Sequence, residues 1–396
     1  EVNFMNKRAS GVLMHITSLP GDYGIGSFGQ AAYDFVDFLK ETKQTYWQIL
    51  PLTTTSYGDS PYQSFSAVAG NTHFIDLDFL IRDKFLTKAD VKGADFGSDP
   101  EFIDYAKVYE ARRPLLEKAV KAILADKKEA KKFESFKSEN ADFMAIKEHF
   151  DNKALQDWDD KKAVKRDEAT LEKLRKELAD VITYHQVVQY LFFSQWAELK
   201  AYANKNGIQI IGDMPIYISA DSVEVWTQPH LFKLDAECKP RYIAGVPPDN
   251  FSATGQLWGN PIYAWDKHKA ENYAWWVFRI QESFKLYDYL RIDHFKGFSD
   301  FWEIPGGDET AENGEWVPGP GYDLFKVVKE ELGDLKIIAE DLGNIDDKTR
   351  KLLADCGYPG MKIVQFGFYD TTGNSIDIPH VYTQHSVAYT GTHDNE

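Results

Sequence analysis

Cysteine is almost missing: Cys238 and Cys356 stand alone in 396 residues, with no CxxC spacing. Neither a disulfide framework nor a zinc cluster is indicated, and a reducing cytoplasm is the expected location. Long apolar runs are missing too. No stretch reaches the roughly 18 residues of a membrane span, and the first residues lack a basic region leading into an apolar one, so export is not expected. Positive charge is in deficit, 45 Lys and Arg against 62 Asp and Glu, for a net charge of −17. Such a chain repels phosphate backbones and anionic lipid, which argues against nucleic-acid or membrane partners. No G-x-x-x-x-G-K-[ST] or G-x-S-x-G motif occurs, and the ten histidines show no H-E-x-x-H spacing, so no metal is expected. Gly24–Gly29 reads GIGSFG, but a loop separates it from the preceding apolar run, and no acid follows about 20 residues on. These read as loop glycines rather than a dinucleotide site.

What the chain does have is 43% apolar and 14% aromatic residues, enough for a large core. Seven short apolar runs read as buried strands: Gly11 to Ile16, Tyr46 to Pro51, Ile208 to Asp213, Tyr289 to His294, Lys336 to Asp341, Met361 to Phe366 and Ser386 to Gly391. Helical patterns lie between several of them, as in Ala32, Phe35, Val36 and Leu39. Alternating strands and helices imply parallel strands with helices outside, either a doubly wound sheet or an eight-stranded barrel. A closed barrel wants an eighth strand, so the count implies an open sheet or a piece of a longer protein. Two segments break the rhythm. Residues 75–182 are rich in Lys, Glu, Asp and Ala and read as a helical insertion; residues 220–271, with GVPPDNFSATGQLWGNPIY at Gly245 to Tyr263, read as a loop-rich subdomain with a long ordered loop of the kind that tends to be functional. Residues 1–74, 183–219 and 272–396 are then the barrel, with the catalytic strand ends in the last.

The informative feature is where acids stand. Asp213, Asp293, Glu340 with Asp341, and Asp394 each follow an apolar run. In a parallel barrel the C-terminal strand ends share one face, so acids far apart in sequence converge there. Carboxylates crowded together raise one another's pKa values, a cost tolerated where one must donate a proton while another stays ionised. A retaining glycosidase needs such a pair. Any single strand-end acid is as well explained as a helix cap or an ion-pair partner, but the set together is not. Arg291 lies two residues before Asp293, on the same strand face, and His393 neighbours Asp394. Sugars also need flat apolar platforms, and Tyr57, Tyr62, Phe251 and Trp258 sit in Gly-, Pro-, Asn- and Ser-rich segments with few core neighbours.

At these residues the sequence resembles the amylomaltases, or 4-α-glucanotransferases, of the α-amylase clan. The likeness runs through SLPGDYGIGSFG, YWQILPL, YGDSPYQSFSAVAGN, IIGDMPIYIS, GVPPDNFSATGQLWGNPIY, LRIDHFKGF, IIAEDLG and YTGTHDN. It implies an α/β fold, a (β/α)8 TIM barrel with inserted subdomains, whose last βα unit lies beyond this chain. It implies that Asp293 is the nucleophile, Glu340 the acid/base, and Asp394 the acid that holds the hydroxyls of the distorted sugar. Arg291 would orient Asp293, His294 and His393 would contact the reacting sugar, and Tyr62 would stack beneath it. Asp213 would bind sugar or support Arg291. Phe251, Gln256 and Trp258 belong to the family's loop over the acceptor side, and Ser60 and Asp370 carry over as substrate contacts.

The resemblance implies a retaining transferase that moves α-1,4-glucan segments to the 4-hydroxyl of an acceptor sugar through a covalent glycosyl enzyme, without a cofactor. Maltooligosaccharides and other α-1,4-glucans are the expected partners, with glucose as an acceptor. Two rivals share these residues: a hydrolase with water as acceptor, and a glucan-binding barrel without turnover.

Overall fold

The computed structural model describes residues 8–133, 136, 139–249, 252–343 and 345–395. Each of the seven apolar runs overlaps a strand. β1 (Gly11–Leu13), β2 (Tyr46–Gln48), β3 (Gln209–Met214), β6 (Tyr289–Ile292) and β9 (Ile337–Ala339) pair in that order, all parallel. β10 (Gly360–Ile363) and β11 (Ser386–Tyr389) form a second parallel pair. The two sets are joined where the Ala339 N–H donates to the Pro359 carbonyl at 3.0 Å and the Met361 N–H to the Asp341 carboxylate at 2.7 Å. Seven parallel strands thus follow one another in chain order around a barrel wall. Among the described residues β1 and β11 are not paired with each other. A cavity of about 930 Å³ lies between them, its walls including Gly11, Leu13, Val387 and Tyr389.

Two cores follow from the strand period of two. Inside the wall Ile211, Tyr289, Ile338, Met361 and Ile363 pack with Tyr46, Phe366, Val387 and Tyr389. Outside it, residues of opposite parity such as Trp47, Ile210 and Leu290 meet the helices. The helix Gln30–Glu41 returns from β1 to β2 and buries Ala32, Val36 and Leu39, the stripe read from the sequence. Helices Ala179–Lys205, Ala274–Leu286, Tyr322–Leu332 and Asp347–Cys356 precede β3, β6, β9 and β10 in the same way.

Between β2 and β3 the chain runs mainly through helices, among them Tyr105–Ala125, Glu139–His149 and Glu168–Glu177. Acidic residues start several of them: Asp104 and Asp167 accept the backbone N–H of Lys107 and Thr170 as N-caps.

Gly245 to Tyr263 departs from the loop reading. β4 (Tyr242–Val246) and β5 (Gln256–Pro261) form an antiparallel hairpin there. Backbone pairing overrides the turn-rich composition because the small residues fall where chains approach: a side chain at Gly245 would collide with the Gln256 carbonyl. Gly255, at φ +71°, turns the chain. β4 also pairs with β7 (Asp300–Pro305), which pairs with β8 (Glu315–Pro318). Residues that the sequence assigned to the barrel therefore complete this four-stranded sheet. The GIGSFG glycines serve packing: a Cβ on Gly26 would overlap the Ile16 carbonyl.

Candidate active site

The strand ladder sets the acids. β3, β6 and β9 continue past their last residues, with the Asp293 N–H donating to the Met214 carbonyl at 3.0 Å and the Glu340 N–H to the Ile292 carbonyl at 3.0 Å. Asp293 and Glu340 therefore end adjacent strands. The register pairs Asp213 with Arg291, and Arg291 with Ile338. Counting two residues on from Arg291 and from Ile338 puts Asp293 and Glu340 on the same inward face.

Arg291 organises this face. Its side chain is 3% exposed, Nη1 meets both oxygens of Asp213 at 2.8 and 2.9 Å, and Nη2 reaches Asp293 at 2.9 Å. Burial by itself weakens a guanidinium, but Asp213 and Asp293 on either side hold this one firmly charged. Its fork aims Asp293 by direct contact.

Glu340 is held differently. Its two oxygens accept the backbone N–H groups of Leu342 and His294, each at 2.7 Å. Burial, and then the neighbouring Asp293 charge, push its pKa up to about 7, against the pull of Arg291 and those two N–H groups. A carboxyl poised near neutrality can give a proton and take it back. To donate its N–H to Glu340, His294 adopts a left-handed backbone, φ 49°. Its ring is kept neutral, pKa down to about 4, by burial and then by Lys296.

The Tyr62 hydroxyl lies 2.7 Å from Asp213 and 2.8 Å from His393 Nε2, with the Tyr62 and His393 rings parallel. The single hydroxyl proton goes to the carboxylate, so His393 donates through Nε2–H. Asp394 stands beside His393 at 3.4 Å, its side chain 67% exposed and open to a ligand. Trp258, on β5, sets its ring perpendicular to His294 at 4.8 Å and near Tyr217 at 6.2 Å.

Of the residues singled out in the sequence, the fold thus joins Asp213, Arg291, Asp293, His294, Glu340, Tyr62, His393, Asp394 and Trp258. Asp213 is buried with both oxygens engaged, which places it beneath Arg291 and out of reach of a sugar. Ser60 accepts the Tyr62 N–H at 3.2 Å and so shapes that loop. Gln256 is exposed and accepts from Trp258 Nε1 at 3.1 Å. Asp370 is not joined to this network: its carboxylate takes up the Thr372 N–H and hydroxyl and the Ser375 N–H, all at 2.7 Å, within its own loop after β10. Phe251 and the side chain of Tyr57 lie outside the described residues.

Sequence reasoning missed several neighbours. Gln63 and Asn260 bond each other, and Gln63 also holds the Trp258 carbonyl at 3.2 Å, tying the Tyr62 segment to β5. The Tyr389 hydroxyl crosses the barrel to Gln48 at 2.6 Å. His15 follows β1 with Nδ1 accepting the Leu50 N–H at 3.2 Å. A search along strand ends for every polar residue, rather than for acids alone, would have found His15. Among the described residues no group of three or more His, Cys, Asp or Glu is placed to hold a metal, and no helix is long and apolar enough to cross a membrane.

A family model described as 4-alpha-glucanotransferase matches residues 14–396. The chain belongs to the 4-alpha-glucanotransferase family. A family member from Streptococcus pneumoniae is 60% identical over 99% of this chain and 78% of its own. Another, from Clostridium butyricum, is 49% identical over 97% of this chain and 80% of its own. Among solved structures, the amylomaltase from Streptococcus agalactiae in complex with acarbose is 64% identical, with a TM-score of 0.97 over 98% of this chain and 80% of that one. The Corynebacterium glutamicum amylomaltase, at 19% identity and a TM-score of 0.73, covers 92% of this chain and 52% of its own and shares the fold.

Proposed function

We propose that this chain is a retaining 4-α-glucanotransferase in which Asp293 is the nucleophile and Glu340 the acid/base. The observation that carries the reading is their unlike support on adjacent strand ends: a guanidinium on Asp293, and two backbone N–H groups on a Glu340 whose proton affinity is raised to about neutrality. Family membership supports the same assignment.

Asp293 Oδ attacks the anomeric carbon of an α-1,4-glucan as the glycosidic C–O bond breaks, and Glu340 gives its proton to the departing oxygen. The ester formed on Asp293 is then opened by the 4-hydroxyl of an acceptor sugar, whose proton returns to Glu340. Two inversions give retention, and the bond made equals the bond broken, so no energy source is consumed. His393 and the exposed Asp394 hold hydroxyls of the reacting sugar, with the Tyr62 ring alongside. Trp258 on β5 offers an aromatic wall to the acceptor and, with its sheet, keeps water from the ester. Maltooligosaccharides are the substrates this arrangement fits, and glucose is the smallest acceptor.

The test is incubation with maltotriose, resolving products by chain length while counting new reducing ends. Glucose together with longer oligosaccharides, at a near-constant number of ends, is expected. Shorter products with rising ends would replace the transferase by a hydrolase. Asp293→Asn should abolish turnover while keeping the fold, and turnover that survives it would take Asp293 out of the role.

A further inference from the structure

The strand register extends to a residue that the mechanism above does not use. Leu13, Gln48, Ile211 and Tyr289 form one row across β1, β2, β3 and β6. Ile211 and Tyr289 from that row lie in the interior core, and Gln48 meets Tyr389 across the barrel, so the row points inward. Two residues further on, the same face carries His15, Leu50, Asp213 and Arg291. The wall still holds at that level on β1: Met14 N–H donates to the Gln48 carbonyl at 2.9 Å, and the backbone at His15 is extended, φ −72° and ψ 152°. His15 is thus the β1 counterpart of Asp213, at the mouth of the barrel.

Its ring chemistry is fixed by its neighbours. Nδ1 accepts the Leu50 N–H at 3.2 Å, so in the neutral ring the proton sits on Nε2, which must donate. Phe74 meets the ring edge-on at 5.5 Å, and the residue is 7% exposed. Burial, and then the nearby His393, hold its pKa down to about 3, so the ring stays neutral wherever the enzyme works. Among the described residues no protein acceptor meets Nε2. Nε2 is not among the buried atoms left without a partner, so its N–H opens toward the barrel mouth, where a bound hydroxyl can accept it.

We propose that His15 is a substrate-contacting residue, its Nε2–H donating to a hydroxyl of the glucosyl unit seated between Asp293 and Tyr62. The proposal rests on the transferase reading and adds β1 to the strands that touch substrate. His15, His393 and His294 then bring three imidazoles to one sugar, suited to hydroxyls that carry no charge and are not to be deprotonated.

Two substitutions separate the ring's two nitrogens. In His15→Asn the amide oxygen overlays Nδ1 and keeps the Leu50 contact, while nothing reaches the Nε2 position. In His15→Gln the amide nitrogen overlays Nε2 and keeps the donor, while the Leu50 N–H loses its acceptor. Both are assayed for maltotriose disproportionation beside the unaltered protein, with kcat and KM determined separately and melting temperature recorded. If the unaltered protein does not disproportionate maltotriose, the transferase reading fails rather than this one. If it does, His15→Asn should melt within about 2 °C of it and lose about tenfold or more in kcat/KM. His15→Gln should melt lower yet keep more kcat/KM per folded molecule. Unchanged kcat/KM in His15→Asn overturns the proposal, as does a loss that follows melting temperature across both variants. Should His15→Asn not fold, His15→Gln decides alone: activity near that of the unaltered protein supports the donor role, and its collapse in a folded protein removes it.

Discussion

Replacing Glu340 by Gln should change how stability depends on pH, in a direction set by the site's electrostatics. In the folded protein the Glu340 carboxyl titrates at about 7, against 4.5 for an ordinary Glu, because of burial and then the Asp293 charge. A raised folded-state pKa means that the native state holds its proton more tightly than the unfolded chain. The stabilisation is complete below pH 4.5 and is lost as pH rises through about 7. A tenfold difference in proton affinity between the folded and unfolded states is worth about 1.4 kcal/mol, so between pH 5 and pH 8 the loss amounts to about 2 to 3 kcal/mol. Glutamine removes that pH-dependent part. It also brings a constant cost, because one of the two N–H groups that Glu340 accepts, from His294 and Leu342, must then face an amide N–H, worth about 1 to 3 kcal/mol. The readout is therefore the gap between the two proteins in urea unfolding at pH 5 and at pH 8. The variant should gain about 2 to 3 kcal/mol on the unaltered protein between those values, whatever the constant offset. A gap that does not move with pH would refute the argument that Asp293 and burial keep Glu340 protonated. The same titration should appear in kinetics: kcat/KM for maltotriose should fall above about pH 7, where the leaving oxygen finds no proton.

Tyr62→Phe deletes the hydroxyl between Asp213 and His393 and should cost about 1 to 3 kcal/mol in urea unfolding, with a larger loss in kcat/KM than in stability. Asp213→Asn takes one member from a buried ion pair. It should destabilise by about 3 to 5 kcal/mol and slow turnover, although the residue touches no substrate; a stable, fast variant would remove it from the Arg291 assembly. Asn260→Ala frees the Gln63 amide and loosens Trp258, so KM for the acceptor glucose should rise with kcat for the donor half-reaction nearly unchanged, measured with saturating maltotriose.

What the sequence made legible here was whatever depends on periodicity. Strand runs of period two and the acids that close them specify both the barrel wall and the face on which those acids gather, because parallel strands put their C-terminal ends on one side. The β4/β5 hairpin was not legible for a physical reason. Its sequence, GVPPDNFSATGQLWGNPIY, is rich in turn formers, and what makes it sheet is a tertiary partner: β7 lies some 40 residues on and supplies the second edge. Gln63 and Asn260 were invisible for a related reason. Their worth lies in facing each other across 197 residues, and neither residue type announces a role in sugar chemistry.

Asp213 shows why a functional acid and a supporting one look alike in sequence and part company in the fold. Both end an apolar run, and both serve the same Arg291. Asp213 lies two residues deeper in the wall than Asp293, in the row that also holds Arg291. Depth decides the role: one carboxylate, with 1% of its side chain exposed, neutralises the guanidinium from below, while the other, with 29% exposed, is presented from above to whatever enters. A cation shared by two carboxylates cannot fully neutralise both, and a third, Glu340, stands in the same field. Burial and then the Asp293 charge raise the proton affinity of the one group whose proton can move, and Glu340 keeps its proton to about neutrality. The acid/base poise of this site is therefore a consequence of strand register, and shifting β6 by one residue against β3 would turn Arg291 and Asp293 away together.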